Sequence, residues 1–254
     1  MTDLLKIENM SKSFSGVHAV QDVSFAIEPN TITGLIGPNG SGKSTLIDCI
    51  SGFQRVDSGK VLFQGVDITN REPHKVARLG LVRTFQTVRV YDDMSLRQNL
   101  VQATQPFDGA NWLDDFFRTR RYRRGQEEAM ERADYLLDLI GLKRKQEAPA
   151  AILSYGQKKL LALGAALMPR PKLVVLDEPV AGVNPSKIRE IEEVILRLHA
   201  EGETFIIVEH NVDFIVRLSS RVITLAAGKV LMDGKPDQLR TDPRVMEAYL
   251  GIRA

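Results

Sequence analysis

A glycine-rich segment between an apolar run and a helical pattern holds residues suited to binding phosphate. Residues 37–44 have the spacing G-x-x-x-x-G-K-[ST] and follow residues 31–36, which predict a short strand. Glycines let several backbone N–H groups face phosphate oxygens, and the following helix adds its positive N-terminal dipole. Lys43 would neutralise phosphate charge and the Ser44 hydroxyl would ligate Mg²⁺. The candidate phosphate-binding residues are Gly37, Pro38, Asn39, Gly40, Ser41, Gly42, Lys43, Ser44 and Thr45.

Two adjacent carboxylates form a second candidate. Asp177 and Glu178 directly follow the apolar residues 173–176, which predict a buried strand. Open α/β sheets place ligand-handling groups at the carboxyl ends of their strands. Asp177 would hold Mg²⁺ directly or through water, and Glu178 would polarise an attacking water as general base. Acidic residues often follow a strand by chance, so the pair gains its weight from the phosphate loop.

Residues 153–157, Leu-Ser-Tyr-Gly-Gln, form a third candidate ahead of a helical pattern at residues 160–167. The Ser154 hydroxyl and the Gly156 backbone would present hydrogen-bond donors to phosphate at a helix start. These residues alone indicate only that Ser154 is a helix N-cap.

The remaining pattern indicates an antiparallel opening followed by alternating strands and helices, which is typical of an α/β fold. A further helix is predicted over residues 126–140, with apolar positions Met130, Ala133, Leu136, Leu137 and Ile140 and a stop at Gly141. The predicted strands are 5–9, 23–27, 31–36, 173–176, 205–208, 221–226 and 229–232, and a terminal helix is predicted at 243–250.

Residues 105–125 are rich in aromatic residues and arginine, and we interpret them as a surface insertion. Their basic cluster, at residues 118–124, suits contact with a membrane protein or with anionic lipid heads, or is a solvated charged face.

The composition narrows the class of protein. The chain has 254 residues, 43% hydrophobic and 26% charged, with a formal net charge of +2, as in a globular protein without a general polyanion-binding surface. We therefore predict no nucleic-acid partner.

The single cysteine, Cys49, follows the glycine loop in an apolar stretch and is predicted to be a buried packing residue. Neither a secretory signal nor an apolar run long enough to span a bilayer is visible.

Together these segments resemble the ATP-binding-cassette (ABC) family over nearly the whole chain. Residues 37–45 resemble its Walker A loop, Gln86 its Q-loop, residues 153–157 its signature motif, residues 173–178 its Walker B strand and His210 its switch histidine. The resemblance implies a P-loop NTPase cassette with an antiparallel β subdomain, a RecA-like core and a helical subdomain at roughly residues 90–165 of a single domain, 1–254.

The resemblance also implies roles for residues that pattern alone leaves open. It implies ATP and Mg²⁺ bound between two subunits, with the phosphate loop of one facing Ser154, Gly156 and Gln157 of the other. Gln86 would approach Mg²⁺ and the attacking water, and His210 would sense the γ-phosphate. Phe14 would stack on adenine, although its place in a predicted strand also fits ordinary packing.

Two positions depart from the family pattern. Tyr155 replaces the usual first glycine of the signature motif, and Asn184 stands where the loop after Walker B usually has aspartate. Ser154 and Gly156 keep their phosphate-binding groups, whereas Asn184 keeps a hydrogen-bonding side chain without its charge.

Further motifs resemble the ATPases of branched-chain amino acid uptake systems, or of relatives for other small polar solutes. They are residues 83–86, 181–185, 208–211 and 248–251. That subgroup implies partners: integral-membrane permease subunits, a second identical or different ATPase subunit and, indirectly, a periplasmic or extracellular solute-binding protein. The expected location is the cytoplasmic face of the cell membrane. The alternatives are the ATPase of a lipid or lipopolysaccharide exporter and a soluble ABC assembly protein.

Overall fold

The computed structural model describes residues 3–86, 88–104 and 120–250. Backbone contacts divide the chain into two units. The first comprises Met1–Arg83, Lys172–Pro179 and Ile195–Ala254, and the second comprises Thr84–Pro171 and Val180–Val194. The first unit contains both β-sheets and the second is mainly helical, which confirms the predicted α/β class.

A four-stranded antiparallel sheet opens the first unit. Its strands are β1 (Leu5–Phe14), β2 (Val17–Ile27), β4 (Ser58–Phe63) and β5 (Val66–Asp67), in the order β2-β1-β4-β5. Ser15 and Gly16 join β1 to β2 with φ of 46° and 88°, as a tight hairpin turn requires. Both strands exceed the predicted lengths because their pairing continues past the apolar alternation to this turn.

A six-stranded sheet forms the core of the first unit. Its strands are β3 (Ile32–Ile36), β6 (Leu81–Arg83), β7 (Leu173–Asp177), β8 (Phe205–Val208), β9 (Arg221–Ala226) and β10 (Lys229–Gly234), in the order β10-β9-β3-β8-β7-β6. Only the β9–β10 pairing is antiparallel. Residues 173–176 of β7 and all of β8 are buried, which confirms the two predicted buried strands. β3 is also buried throughout, and it pairs in parallel with β8 and β9 although it follows the antiparallel opening. The carboxyl ends of β3, β8 and β7 therefore meet at one edge.

Eight α-helices lie within the described residues. They are α1 (Lys43–Ile50), α2 (Pro73–Arg78), α3 (Leu96–Gln102), α4 (Arg120–Leu139), α5 (Tyr155–Leu167), α6 (Pro185–Ala200), α7 (Val212–Leu218) and α8 (Pro243–Leu250). Short 3₁₀ turns occupy Lys143–Lys145, Ala150–Ile152 and Pro236–Arg240. None of these helices is both long enough and apolar enough to cross a membrane.

Helix α1 is fixed by its apolar face. Leu46, Ile47 and Ile50 are buried in the same core cluster as Leu35 of β3 and Val175 of β7. Burying an aliphatic side chain of this size contributes about 1.5–3 kcal/mol, so these contacts hold α1 against the sheet. The residues that precede α1 are thereby placed at the carboxyl edge of the sheet.

Helix α4 begins earlier than predicted, and among its side chains from residue 123 onward the buried ones lie in its second half. Ala133, Leu136 and Leu137 are fully buried, whereas Met130, at the same helical spacing, is half-exposed. The Arg97 side chain of α3 meets Asp134 of α4 at 2.7 Å, where this packing begins. The predicted stop is confirmed by Gly141, whose φ of 72° suits a helix C-terminus.

The predicted surface insertion falls largely on residues 105–119, which lie outside the described residues. Of its basic cluster, Arg123 and Arg124 are exposed on α4. Arg124 pairs with Glu128 at 3.1 Å, one turn further along the same helix.

Cys49 is buried on α1, as predicted, and burial raises the pKa of its thiol to about 11. Because the thiolate is the reactive form, we expect alkylation at about pH 8 to be roughly a hundredfold slower than for an ordinary cysteine. Iodoacetamide labelling followed by mass spectrometry measures this rate, with the guanidinium-unfolded chain as control. Equal labelling of the folded and unfolded chains would contradict the packing role.

Candidate nucleotide site

The phosphate loop connects β3 to α1, as the motif requires. The first hydrogen bond of the helix is donated by the Leu46 amide to the Gly42 carbonyl at 2.8 Å. The amides of Lys43, Ser44 and Thr45 therefore lie at the open N-terminal end of α1. This end carries no acidic residue in its first turn, so its dipole stays available to an anion.

The loop packs so closely that two of its positions accept only glycine. A Cβ at Gly37 would lie 2.3 Å from the Leu225 carbonyl oxygen, and a Cβ at Gly42 would lie 2.2 Å from that of Ala19. Both glycines have positive φ, 156° and 102°. The neighbouring backbone therefore determines the path of the loop.

Lys43 is the cation of this loop. Its Nζ donates hydrogen bonds to the carbonyls of Gly37 at 2.7 Å and Pro38 at 3.0 Å. Partial burial lowers the pKa of Lys43, while the nearby carboxylates of Glu178 and Asp177 act in the opposite direction. The structure thus brings the predicted phosphate-binding lysine together with both predicted acidic residues.

The carboxyl end of β7 carries those acidic residues. Asp177 pairs with Val208 of β8, and the Glu178 amide donates to the Val208 carbonyl at 2.9 Å. Glu178 has a φ of 49°, in the left-handed region that costs a non-glycine residue roughly 1–2 kcal/mol. Strained backbone of this kind concentrates at functional sites. Hydrogen bonding to β8 holds Glu178 in this conformation.

His210 follows β8 at the same edge. Its side chain is 63% exposed, whereas that of the preceding Glu209 is fully buried. The Glu209 Oε2 accepts hydrogen bonds from the amides of His210 and Asn211, and Asn211 caps α7. The backbone of His210 is therefore fixed while its imidazole extends into solvent.

Phe14 ends β1 beside the hairpin turn, and its ring is 42% exposed. This exposure does not fit the alternative considered for Phe14, in which the ring is an ordinary packed strand residue. The Lys12 ammonium lies 5.1 Å from the ring centroid and pairs with Asp57 at 2.8 Å. Asp57 also accepts a hydrogen bond from the Ser13 amide at 2.7 Å. These contacts present an aromatic face at the surface.

The remaining predicted site residues belong to the second unit. Gln86 is exposed. Ser154 is the N-cap of α5, where its hydroxyl accepts from the Gln157 amide and the Gln157 side chain accepts from the Ser154 amide. Gly156 directly follows the first residue of α5, so all three signature residues lie at one helix N-terminus.

Both departures from the family pattern have a local structural role in the second unit. A Cβ at Gly182 would lie 3.2 Å from the Tyr155 ring, so the ring packs over this glycine. The Asn184 Oδ1 accepts from the amide and the hydroxyl of Ser186 at 3.0 and 2.9 Å. Asn184 therefore caps α6, for which asparagine serves as well as aspartate.

Sequence reasoning assigned no role in the site to Arg83 and Asp48. The Arg83 Nη1 donates to Asp48 Oδ1 at 2.5 Å and its Nη2 donates to Asp177 Oδ2 at 2.8 Å. One signal was visible: Asp48 is the only charged residue among the apolar positions that follow Leu46 in α1. Arg83 was noted only as part of the subgroup motif 83–86, because its ion pairs depend on the tertiary fold.

The donor set fits a phosphate chain and a magnesium ion. Within the part of the chain that the structure describes, the Ser41 hydroxyl is buried and has no hydrogen-bond partner. Among the same residues, no three His, Cys, Asp or Glu side chains form a metal cage. Mg²⁺ normally needs only one or two protein oxygens, with phosphates and water completing its octahedron. The hydroxyl of Ser44 and the carboxylate of Asp177 are therefore of the right chemistry for a metal that arrives with phosphate.

Comparison with known families is consistent with this geometry. A sequence profile described as ABC transporter matches residues 20–181. A second profile, described as branched-chain amino acid ATP-binding cassette transporter, matches residues 229–254.

Individual relatives match at full length. The chain is 39% identical to a probable branched-chain amino acid transport ATP-binding protein of Archaeoglobus fulgidus, covering 98% of this chain and 96% of the relative. It is 35% identical to the high-affinity branched-chain amino acid transport ATP-binding protein BraF of Pseudomonas aeruginosa, with 98% coverage of each. A solved ATP-binding cassette of an ABC transporter in its ADP conformation superposes with a TM-score of 0.86 at 36% identity, covering 99% of this chain and 100% of that one.

Proposed function

Because the chain belongs to the ATP-binding cassettes of the ABC transporter family, we propose that it hydrolyses ATP to drive uptake of branched-chain amino acids through a membrane permease. The observation that carries the proposal is the convergence of Lys43, Asp177 and Glu178 at one sheet edge. Names of full-length relatives supply the solute class. They give no support to a lipid exporter or a soluble assembly protein.

The phosphate loop binds the nucleotide. The amides at the start of α1 and the Lys43 ammonium balance the charge of the β- and γ-phosphates. Ser44 and Asp177 are the proposed Mg²⁺ ligands in the first unit, directly or through water. Gln86, in the second unit, keeps the role at Mg²⁺ and the attacking water that the family resemblance implies. When bound, Mg²⁺ supplies positive charge that stabilises the transferring phosphoryl group. Phe14 offers its exposed ring to adenine, since an aromatic face stacks on a base.

Glu178 is the proposed general base. Its carboxylate follows Asp177 and is close enough to Lys43 to act against the lowering of the Lys43 pKa, so it lies near the phosphate-binding groups. It would accept the proton of the attacking water. His210, held by its fixed backbone at the same edge as Glu178, would contact the γ-phosphate and report its loss.

A complete site requires two subunits in this proposal. The signature residues Ser154, Gly156 and Gln157 belong to the second unit and lie at the N-terminus of a helix of 13 residues. Helix N-termini bind anions, so this end suits the γ-phosphate held by another subunit. The second ATPase is a copy of this chain or a related cassette.

Three exposed apolar side chains of the second unit suit a permease. Tyr91, Ile152 and Phe85 are 57%, 55% and 49% exposed. The Ala150 amide donates to the Met94 carbonyl, which joins the segments that carry Tyr91 and Ile152. Apolar side chains that are exposed together mark protein interaction sites, and we propose that these meet a permease. A permease docked there would hold the chain at the cytoplasmic face of the membrane and link it indirectly to a solute-binding protein.

Uptake measurements in cells that lack this chain test the solute. We expect uptake of radiolabelled leucine, isoleucine and valine to fall to background and to be restored by the wild-type chain. The Glu178→Gln chain should not restore it, because hydrolysis powers the permease. Labelled urea and glutamate serve as control solutes, and loss of their uptake with leucine uptake intact would overturn the assigned solute class.

A further inference from the structure

The Arg83 guanidinium forms a bridge between two segments of the site in the first unit. It donates to Asp48 of α1 at 2.5 Å and to Asp177 of β7 at 2.8 Å, and its side chain is only 8% exposed. Arg83 is itself the last residue of β6, which pairs with β7. One side chain thus joins the helix after the phosphate loop to the strand that carries the proposed metal ligand.

Further contacts hold the Arg83 guanidinium in place besides these two ion pairs. Its Nη1 lies 3.4 Å from the Ser51 hydroxyl, and its central carbon lies 5.9 Å from the centroid of the Phe53 ring. A planar guanidinium donates in two fixed directions at once, whereas a lysine ammonium is a point charge on a flexible chain. The geometry at Arg83 is therefore specific to arginine.

One ion-pair partner of Arg83 is a proposed Mg²⁺ ligand, and the other lies on the same helix as a second proposed ligand. Asp177 is one of these ligands, and Asp48 lies four residues after Ser44, on the same face of α1. Without a cation between them, the carboxylates of Asp48 and Asp177 would repel each other. Arg83 is consequently paired with one proposed ligand and with the helix that carries the other.

We propose that Arg83 is a positioning residue for Mg²⁺, which fixes Asp177 and the Ser44 face of α1 in the arrangement that the metal requires. The proposal rests on the proposed function, because that function assigns Ser44 and Asp177 to the metal. Residues that orient metal ligands typically change metal affinity by roughly ten- to a hundredfold.

Metal binding and nucleotide binding are measured separately to test this role. Free Mn²⁺ is followed by electron paramagnetic resonance in the presence of ADP, and fluorescent ADP is titrated in EDTA. For Arg83→Met we expect Mn²⁺ affinity to fall by roughly ten- to a hundredfold. We expect metal-free ADP affinity to stay within about twofold of the wild type, because the phosphate loop and Lys43 are intact. A purely structural role would lower both affinities together.

Two further variants make the result decisive. Arg221 forms a comparable pair with Asp233 at 2.6 Å on β9 and β10, so Arg221→Met is the matched control and should leave Mn²⁺ affinity unchanged. Arg83→Lys keeps the charge but cannot bridge both carboxylates, so it should also bind Mn²⁺ more weakly than the wild type. This variant tests the proposal even if Arg83→Met fails to fold.

Wild-type Mn²⁺ affinity in Arg83→Met or Arg83→Lys would overturn the proposal, as would an equal loss of metal-free ADP binding. A wild-type chain that binds ADP no better with Mn²⁺ than without it would instead contradict the proposed metal ligands. The two failures are therefore distinguishable.

Discussion

Replacing Lys43 by methionine is expected to weaken ATP binding by roughly ten- to a hundredfold, because hydrogen bonds to charged groups contribute about 1.5–3 kcal/mol each. Hydrolysis should fall further, since the lysine also faces charge that develops on the phosphoryl group. Methionine keeps most of the length and apolar surface of the side chain. The change therefore removes the charge with little loss of packing.

Fluorescent ATP titration measures this effect, and Lys75→Met is the matched control because Lys75 is an exposed lysine of α2 that pairs with Glu72. Burial lowers the pKa of Lys43, so keeping this lysine charged reduces the free energy of unfolding. The reduction is fully present below the lowered pKa and is gone above about pH 10.4, where the lysine is neutral in the unfolded chain as well. Methionine removes this reduction together with two hydrogen bonds. The melting temperature at neutral pH should thus change little, and a large fall would show that Lys43 is mainly structural.

Replacing Glu178 by glutamine is expected to lower hydrolysis by about a hundredfold or more, because a positioned general base contributes roughly 10²–10⁴. ATP binding should persist, since the phosphate loop is unchanged. Glutamine has nearly the same shape as glutamate, so residue 178 should keep its φ of 49° and its amide hydrogen bond to the Val208 carbonyl. With hydrolysis blocked, two subunits should remain closed around ATP.

Phosphate release and size-exclusion chromatography with light scattering, each with and without ATP and Mg²⁺, measure both consequences. Glu127→Gln is the control, because Glu127 is an exposed glutamate of α4. A dimer that forms only with ATP would support a homodimer, and an ATP-binding monomer would indicate that a different cassette is the second subunit. Undiminished phosphate release by Glu178→Gln would exclude Glu178 as the base.

The local elements of the site could be predicted because each depends on a short stretch of sequence. The 37–44 loop has fixed spacing between glycines and lysine, and apolar runs identify β7 and β8 by composition alone. The capping role of Ser154 was likewise expected, because it uses a hydrogen bond within four residues. The exposure of Met130 could not be predicted, because helical spacing does not show where packing against other helices begins.

The sequence by itself determined which chemistry this protein can support, since the residue types that bind phosphate, hold a metal and accept a proton occur in short, ordered motifs. Only the tertiary structure decided how these groups combine. Parallel pairing of β3, β8 and β7 brings Lys43 to Glu178, more than a hundred residues away along the chain. The Arg83 bridge exists for the same reason: its partners, Asp48 and Asp177, are distant in sequence and become neighbours only when β6 pairs with β7 and α1 packs on the sheet.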